Sequence, residues 1–223
     1  MRDAIGDMLP AAVVAAISPL PIVAVVLMLV TPRGRVNGTA FVLGWVLGYA
    51  VIGAVVLSVA SGASASDDGT PATWVSVLKL VLGLLALLLG VRQFRGRPRG
   101  DAKAPTPHWM QDLDTFEPPK AIGTGVLLSA VNPKNLLLAV AGAVAIAQTG
   151  ISGGEQAVAW IIFIVVASLG VATPVVAVLV LGDRSRRALD EIKDWLVSNN
   201  ATIVSVIMVV IGAKLVGDAI SGF

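Results

Sequence analysis

The sequence predicts an all-α integral membrane protein of six transmembrane helices, built as two inverted three-helix repeats with both termini outside. Three observations carry that fold class. The 223 residues are 56% hydrophobic and 13% charged, with a mean hydropathy of +0.87, a balance foreign to a water-soluble domain of this length. Six apolar runs long enough to cross a hydrocarbon core follow one another at 6–30, 38–60, 73–93, 121–147, 155–181 and 200–221. The last three runs also repeat features of the first three in the same order. Strands of a membrane barrel would alternate apolar and polar residues, whereas these runs are apolar throughout, so the spans are expected to be helices.

The first run begins beside Arg2, Asp3 and Asp7 and is followed by Arg33 and Arg35. Those are the wrong flanks for a cleaved export signal, which predicts that the run stays in the protein as helix 1. In its middle stands Ser18-Pro19-Leu20-Pro21. Proline removes a backbone donor and clashes with the preceding turn, so Pro19 and Pro21 predict a kinked or unwound helix. Helix 2 carries Gly44, Gly48 and Gly53, whose spacing predicts close helix contact. Helix 3 carries Lys79 near its start, at a depth from which the side chain can reach the interface.

Helix 4 holds the densest polar cluster, Ser129 followed by Asn132-Pro133-Lys134-Asn135. Its proline predicts a second broken helix, the asparagines supply amide donors and acceptors, and Lys134 places a positive charge inside an apolar run. Such a charge is costly in a bilayer and is expected to face a cavity, a partner or an anionic ligand. Thr173-Pro174 in helix 5 predicts a further hinge. The charged segment Asp183 to Val197 can gather Leu189, Ile192, Trp195 and Leu196 on one face, which fits either an interfacial helix or an extension of a neighbouring span. In helix 6, Asp218 lies one turn beyond Lys214 and offers it a partner.

The repeat is read from two alignments. Val75-Ser76-Val77, Val81 and Gly83 match Val204-Ser205-Val206, Val210 and Gly212 without a gap. Ala16-Ile17-Ser18-Pro19-Leu20-Pro21 matches Ala130-Val131-Asn132-Pro133-Lys134-Asn135, a polar residue followed by proline in both. Three helices per half is an odd number, so the second half enters the membrane upside down, the plan of many secondary transporters. The expected organisation is a first repeat at 1–93, a cytoplasmic loop at 94–120 and a second repeat at 121–223, within one membrane domain. Twelve Lys and Arg fall in the loops after helices 1, 3 and 5, against Arg2 alone on the other side. Positive loops stay cytoplasmic, so both termini are expected to face outward from the plasma (inner) membrane.

Other chemistry is excluded by what the chain lacks. Without cysteine there is no disulfide exchange, thiolate nucleophile or thiolate metal site. The single His108 stands in a polar loop, where a solvated surface residue is expected, and no metal or cofactor is expected. No Gly-x-x-x-x-Gly-Lys phosphate loop is present, and no carboxylate pair or nucleophile with its base lies in the spans, so an enzyme is not expected. Asp112 and Asp114 sit in the hydrated loop and are expected to be surface charges.

The run Trp109-Met110, Asp112 or Asp114, Pro118, Lys120-Ala121, Gly125 and Leu128-Ser129-Ala130-Val131-Asn132-Pro133-Lys134-Asn135-Leu136 resembles the actinobacterial glycopeptidolipid- and sulfolipid-addressing protein family. That family lies within the lysine-exporter superfamily of six-helix inverted-repeat transporters. The specific part covers about residues 107–147 and shows no departure at the motif positions. The resemblance implies a part in moving glycolipids or lipid-linked envelope components toward the cell surface.

Three functions are set against one another. The first is export or flipping of a lipid-linked component by alternating access. Here Ser18, Pro19, Pro21, Ser129, Asn132, Pro133, Lys134 and Asn135 form an anionic-headgroup site, with Lys79, Thr173, Pro174 and Lys214 as secondary candidates. The second is export of a small soluble metabolite such as an amino acid. The third is a non-transporting assembly factor whose 94–120 loop docks a lipid synthase or larger exporter. Expected partners are membrane lipids, the anionic lipid or glycolipid substrate, that docking protein and a second copy in a homodimer, with no nucleic acid.

Overall fold

The computed structural model describes residues 1–63, 73–96 and 116–221. Arg97, Arg99, Lys103, His108, Trp109, Met110, Asp112 and Asp114 lie outside the described residues, and with them most of the expected docking loop. Among the described residues every regular element is helical: α1 (Arg2–Ala16), α2 (Pro19–Leu29), α3 (Gly34–Ala63), α4 (Thr73–Arg95), α5 (Pro118–Val126), α6 (Pro133–Ala147), α7 (Gly153–Leu181) and α8 (Arg186–Ile220). A π-helical turn at Leu127–Val131 follows α5, and a 3-10 turn at Gly182–Ser185 precedes α8.

Helices α3, α4, α7 and α8 are each long and apolar enough to cross a membrane. The pair α1 and α2 bends by 47° at Ser18, and the segment Pro118–Val131 meets α6 at 62° across Asn132. Counting each bent pair as one span gives up to six. Both breaks have the same local cause. The residue before a proline is driven out of the helical region, and Ser18 (ψ 105°) and Asn132 (ψ 120°) are extended, while Pro19 and Pro133 start the next helix where a missing N–H does no harm.

Packing divides the helices into two groups. α3 lies along α5 and also touches α6 and α7, while α1 packs on α6 and α7. Small residues set these approaches. A Cβ on Gly44 would overlap the Ile122 carbonyl, one on Gly125 the Phe41 carbonyl, and one on Gly170 the Ala16 carbonyl at the end of α1. Phe41, Trp45 and Tyr49 of α3 and Trp160 and Phe163 of α7 fill the core, and the Trp160 indole N–H donates to the Tyr49 carbonyl at 3.1 Å. The second group is the pair α4 and α8, the most extensive helix contact in the molecule. Gly83 and Gly212 face each other with no room for a Cβ, and Ser205 Oγ donates to the Gly90 carbonyl at 3.0 Å. This pair meets the first group mainly through α2 against α8 and α4 against α6.

At one end of the bundle, Arg33 approaches Glu117 at 3.8 Å and Asn37 Nδ2 donates to the Phe116 carbonyl at 2.8 Å. The chain from Thr31 to Val36 borders Gly182 at the same end. At the other end, Asp7, Lys79, Gln148 and Lys214 surround one cavity. One local expectation comes out differently, and one is settled in favour of its second alternative, an extension of the last span. α7 runs unbroken through Pro174, so this proline makes no gap in the helix. The charged segment after α7 is not a separate interfacial helix: from Arg186 it is continuous with the last span, with Leu189 and Leu196 buried against the bundle and Ile192 and Trp195 exposed. Packing against the bundle divides the face that the pattern placed together.

Candidate functional site

The two helix breaks meet. Lys134, in the first turn of α6, reaches across to α1 and α2, where its Nζ donates to Ser18 Oγ at 2.8 Å and to the Val14 carbonyl at 3.4 Å. Ser18 Oγ donates in turn to Asn135 Oδ1 at 2.7 Å, and Asn135 Nδ2 donates to the Leu128 carbonyl at 2.7 Å. Asn132 Oδ1 caps α6 by accepting from the Lys134 amide at 3.1 Å.

The backbone acceptors come from the breaks themselves. Val14 lies in the last turn of α1, whose carbonyls have no continuing helix to serve. A cation there also meets the negative end of the helix dipole. On the other side, the π-helical turn pairs the Asn132 amide with the Leu127 carbonyl at 2.9 Å, and the neighbouring Leu128 carbonyl takes the Asn135 amide. Widened turns of this kind recur at functional sites.

Lys134 is 9% exposed, Ser18 2% and Asn135 0%. The lysine therefore does not snorkel to an interface. Among the described residues it is in no ion pair, so its ammonium is held by a hydroxyl and a carbonyl alone. Burying an ammonium without a counter-charge is unfavourable even when its N–H groups are partly satisfied. An anion entering the site would supply that charge.

Space for one is present. A cavity of about 220 Å³ is bounded by Ser18, Pro19, Pro21, Asn132, Pro133 and Lys134 on one side, and by α4 and α8 on the other. Asn135 lies behind this wall, where it fixes Ser18. Ser129 lies elsewhere: it is fully buried against Gly48 and donates to the Gly125 and Val126 carbonyls of its own helix at 3.0 and 3.2 Å. Thr173 and Pro174 border a lateral apolar groove with Ile17 and Trp195, and Lys79 and Lys214 border the cavity at the opposite end. Sequence reasoning passed over Gln93 and Asn200, which face the Lys134 cavity from α4 and α8. Both are polar residues at the edges of apolar runs, and that position was the available signal.

Several apolar helices packed around a buried polar site define a multi-pass membrane protein. The chain belongs to the Sap, sulfolipid-1-addressing protein, family, which matches it over residues 8–221 and links it to lipid export. No curated protein and no solved structure matches it.

Proposed function

We propose that this protein moves a lipid-linked or glycolipid envelope component across the plasma membrane by alternating access, holding an anionic headgroup at Lys134 between the two broken helices. The observation that carries the reading is a buried ammonium that has no carboxylate partner among the described residues, facing a cavity, in a chain of the sulfolipid-1-addressing family. A sulfate, phosphate or carboxylate would accept from Nζ and replace the weaker Val14 contact, with the Asn132 side chain at the cavity wall as a further donor. The cavity admits a headgroup and not a whole glycolipid, so the acyl chains stay outside in the bilayer.

The transport architecture in this proposal is six spans in two inverted halves, with both termini outside. Support comes from the equivalent Ser-Pro and Asn-Pro breaks and from the paired third helices α4 and α8, whose glycines match in the two halves. The meeting of the helix 1 to 2 connection with the start of helix 4 and the end of helix 5 at one end of the bundle fits the same plan.

Native mass spectrometry with lipid extraction tests the site, comparing wild type with Lys134→Ala after expression in a lipid-rich actinobacterial host. One anionic glycolipid or lipid-phosphate class should be enriched on wild type and lost from the variant. The same bulk phospholipids on both would remove Lys134 as a lipid site and turn attention to soluble anions, read by uptake into vesicles.

A further inference from the structure

The cavity at the other end of the bundle shares three of its four walls with the Lys134 cavity. It measures about 300 Å³ and is bounded by α1, α4, α6 and α8, with Lys79 and Leu82 from α4, Ala145 and Gln148 from the end of α6, and Lys214 from α8. The Lys134 cavity is bounded by the start of α2, α4, α6 and α8. Both therefore lie on the seam between the α4 and α8 pair and the rest of the molecule.

Only a short barrier separates them. From the nearer wall of one cavity to that of the other is Leu82 to Leu89 on α4, Ala141 to Lys134 on α6 and Ile211 to Met208 on α8. At the helical rise per residue these steps are about 10, 10 and 5 Å. Ala15, Ala86, Leu138 and Met208, one from each wall, lie between or at these edges with no exposure at all. These side chains are small or flexible, and Ala86 and Met208 lie on the pair of helices that packs as a unit.

The charges in the second cavity are arranged unequally. Lys214 is held by Asp218 at 2.7 Å, and Asp7 is exposed at the rim. Lys79 is half-buried in the wall and, among the described residues, is in no ion pair within 4 Å. Asp7 and Asp218 of the same cavity act on Lys79 only from beyond ion-pair distance, which leaves it a cation to which an anion can bind.

We propose that this second cavity is the release-side station of one path, in which Lys79 receives the sulfate, phosphate or carboxylate group handed on from Lys134. This rests on the headgroup reading of Lys134 but concerns different atoms. The step is a transfer between two cations on either side of the Ala15, Ala86, Leu138 and Met208 plug, made when the α4 and α8 pair shifts along the seam.

The absence of cysteine makes the test direct, because Ala145→Cys puts a single thiol of nearly native size in the second cavity. The full chain carrying it is placed in lipid nanodiscs. Its rate of modification by anionic 2-sulfonatoethyl methanethiosulfonate is divided by that for the cationic trimethylammonioethyl reagent. Adding Lys79→Gln should lower this ratio about tenfold, the effect of one charge at close range in a partly hydrated site, and Lys79→Arg should restore it. Inorganic sulfate should slow the anionic reagent only while residue 79 is cationic. An unchanged ratio in Lys79→Gln, or sulfate protection that survives it, overturns the proposal. Lys134→Gln in the same background separates the two readings. If it leaves the bound lipid unchanged while Lys79→Gln still moves the ratio, the Lys134 site has failed and with it the handover, and the second cavity is an anion site by itself.

Discussion

Lys134 and Lys214 are both lysines within apolar runs, only the second with a carboxylate one turn away, and the folded chain treats them in opposite ways. Lys214 is 47% exposed at its side chain and sits 2.7 Å from Asp218, one helical turn away. Lys134 is 9% exposed and ends on a serine hydroxyl and a carbonyl from another helix. The difference teaches what makes a charge in a membrane a binding group. Depth alone does not, since a long side chain can escape or pair locally. A buried charge whose protein contacts are all neutral leaves an electrostatic deficit that a ligand can fill.

Replacing each lysine by methionine breaks the comparison most directly. Lys134→Met should weaken binding of the anionic lipid by about ten- to a hundredfold, as expected for a lost charge-assisted hydrogen bond. In detergent its melting temperature should hold or rise, because an unpaired buried charge has been removed. Lys214→Met should leave the same lipid signal in place. Equal loss from both variants would mean that general positive charge, and not the site, retains the lipid.

A smaller effect sharpens the role of the supporting residues. Asn135→Ala strands the Leu128 carbonyl and removes the acceptor of Ser18, so it should destabilise the protein by about 1–3 kcal/mol in a thermal melt. It should also weaken lipid retention less than Lys134→Met does. Ser129→Ala, away from the cavity, should leave retention unchanged. Smallest of all is Asp218→Asn, which opens a half-exposed ion pair and should change stability by less than about 1 kcal/mol.

Much of the architecture was legible because the bilayer constrains it strongly. Apolar runs of fixed length and glycine at close crossings each have one dominant physical consequence, and proline interrupts two of the three runs that contain it. Gly44 and Gly48 do allow close approach, to Ile122 and Ser129. Proline was less decisive than its chemistry suggests. Pro19 and Pro133 follow an extended residue at a break, while Pro10 and Pro174 lie inside helices that continue past them. Neighbouring helices hold the chain together in those two places, and a local pattern does not report its neighbours.

By itself, the sequence determined that this is a helical membrane protein with a polar, positively charged interruption in an apolar run, because hydropathy and proline act over a few residues. It also carried the resemblance to the family to which the chain belongs. Only the tertiary structure decided that Lys134 turns to Ser18 and Val14 across more than a hundred positions of chain, that Ser129 packs against a glycine instead of the cavity, and that Gln93 and Asn200 complete the facing wall. Those outcomes depend on which helices lie side by side. Close packing between distant segments sets that choice, and no short stretch of residues encodes it.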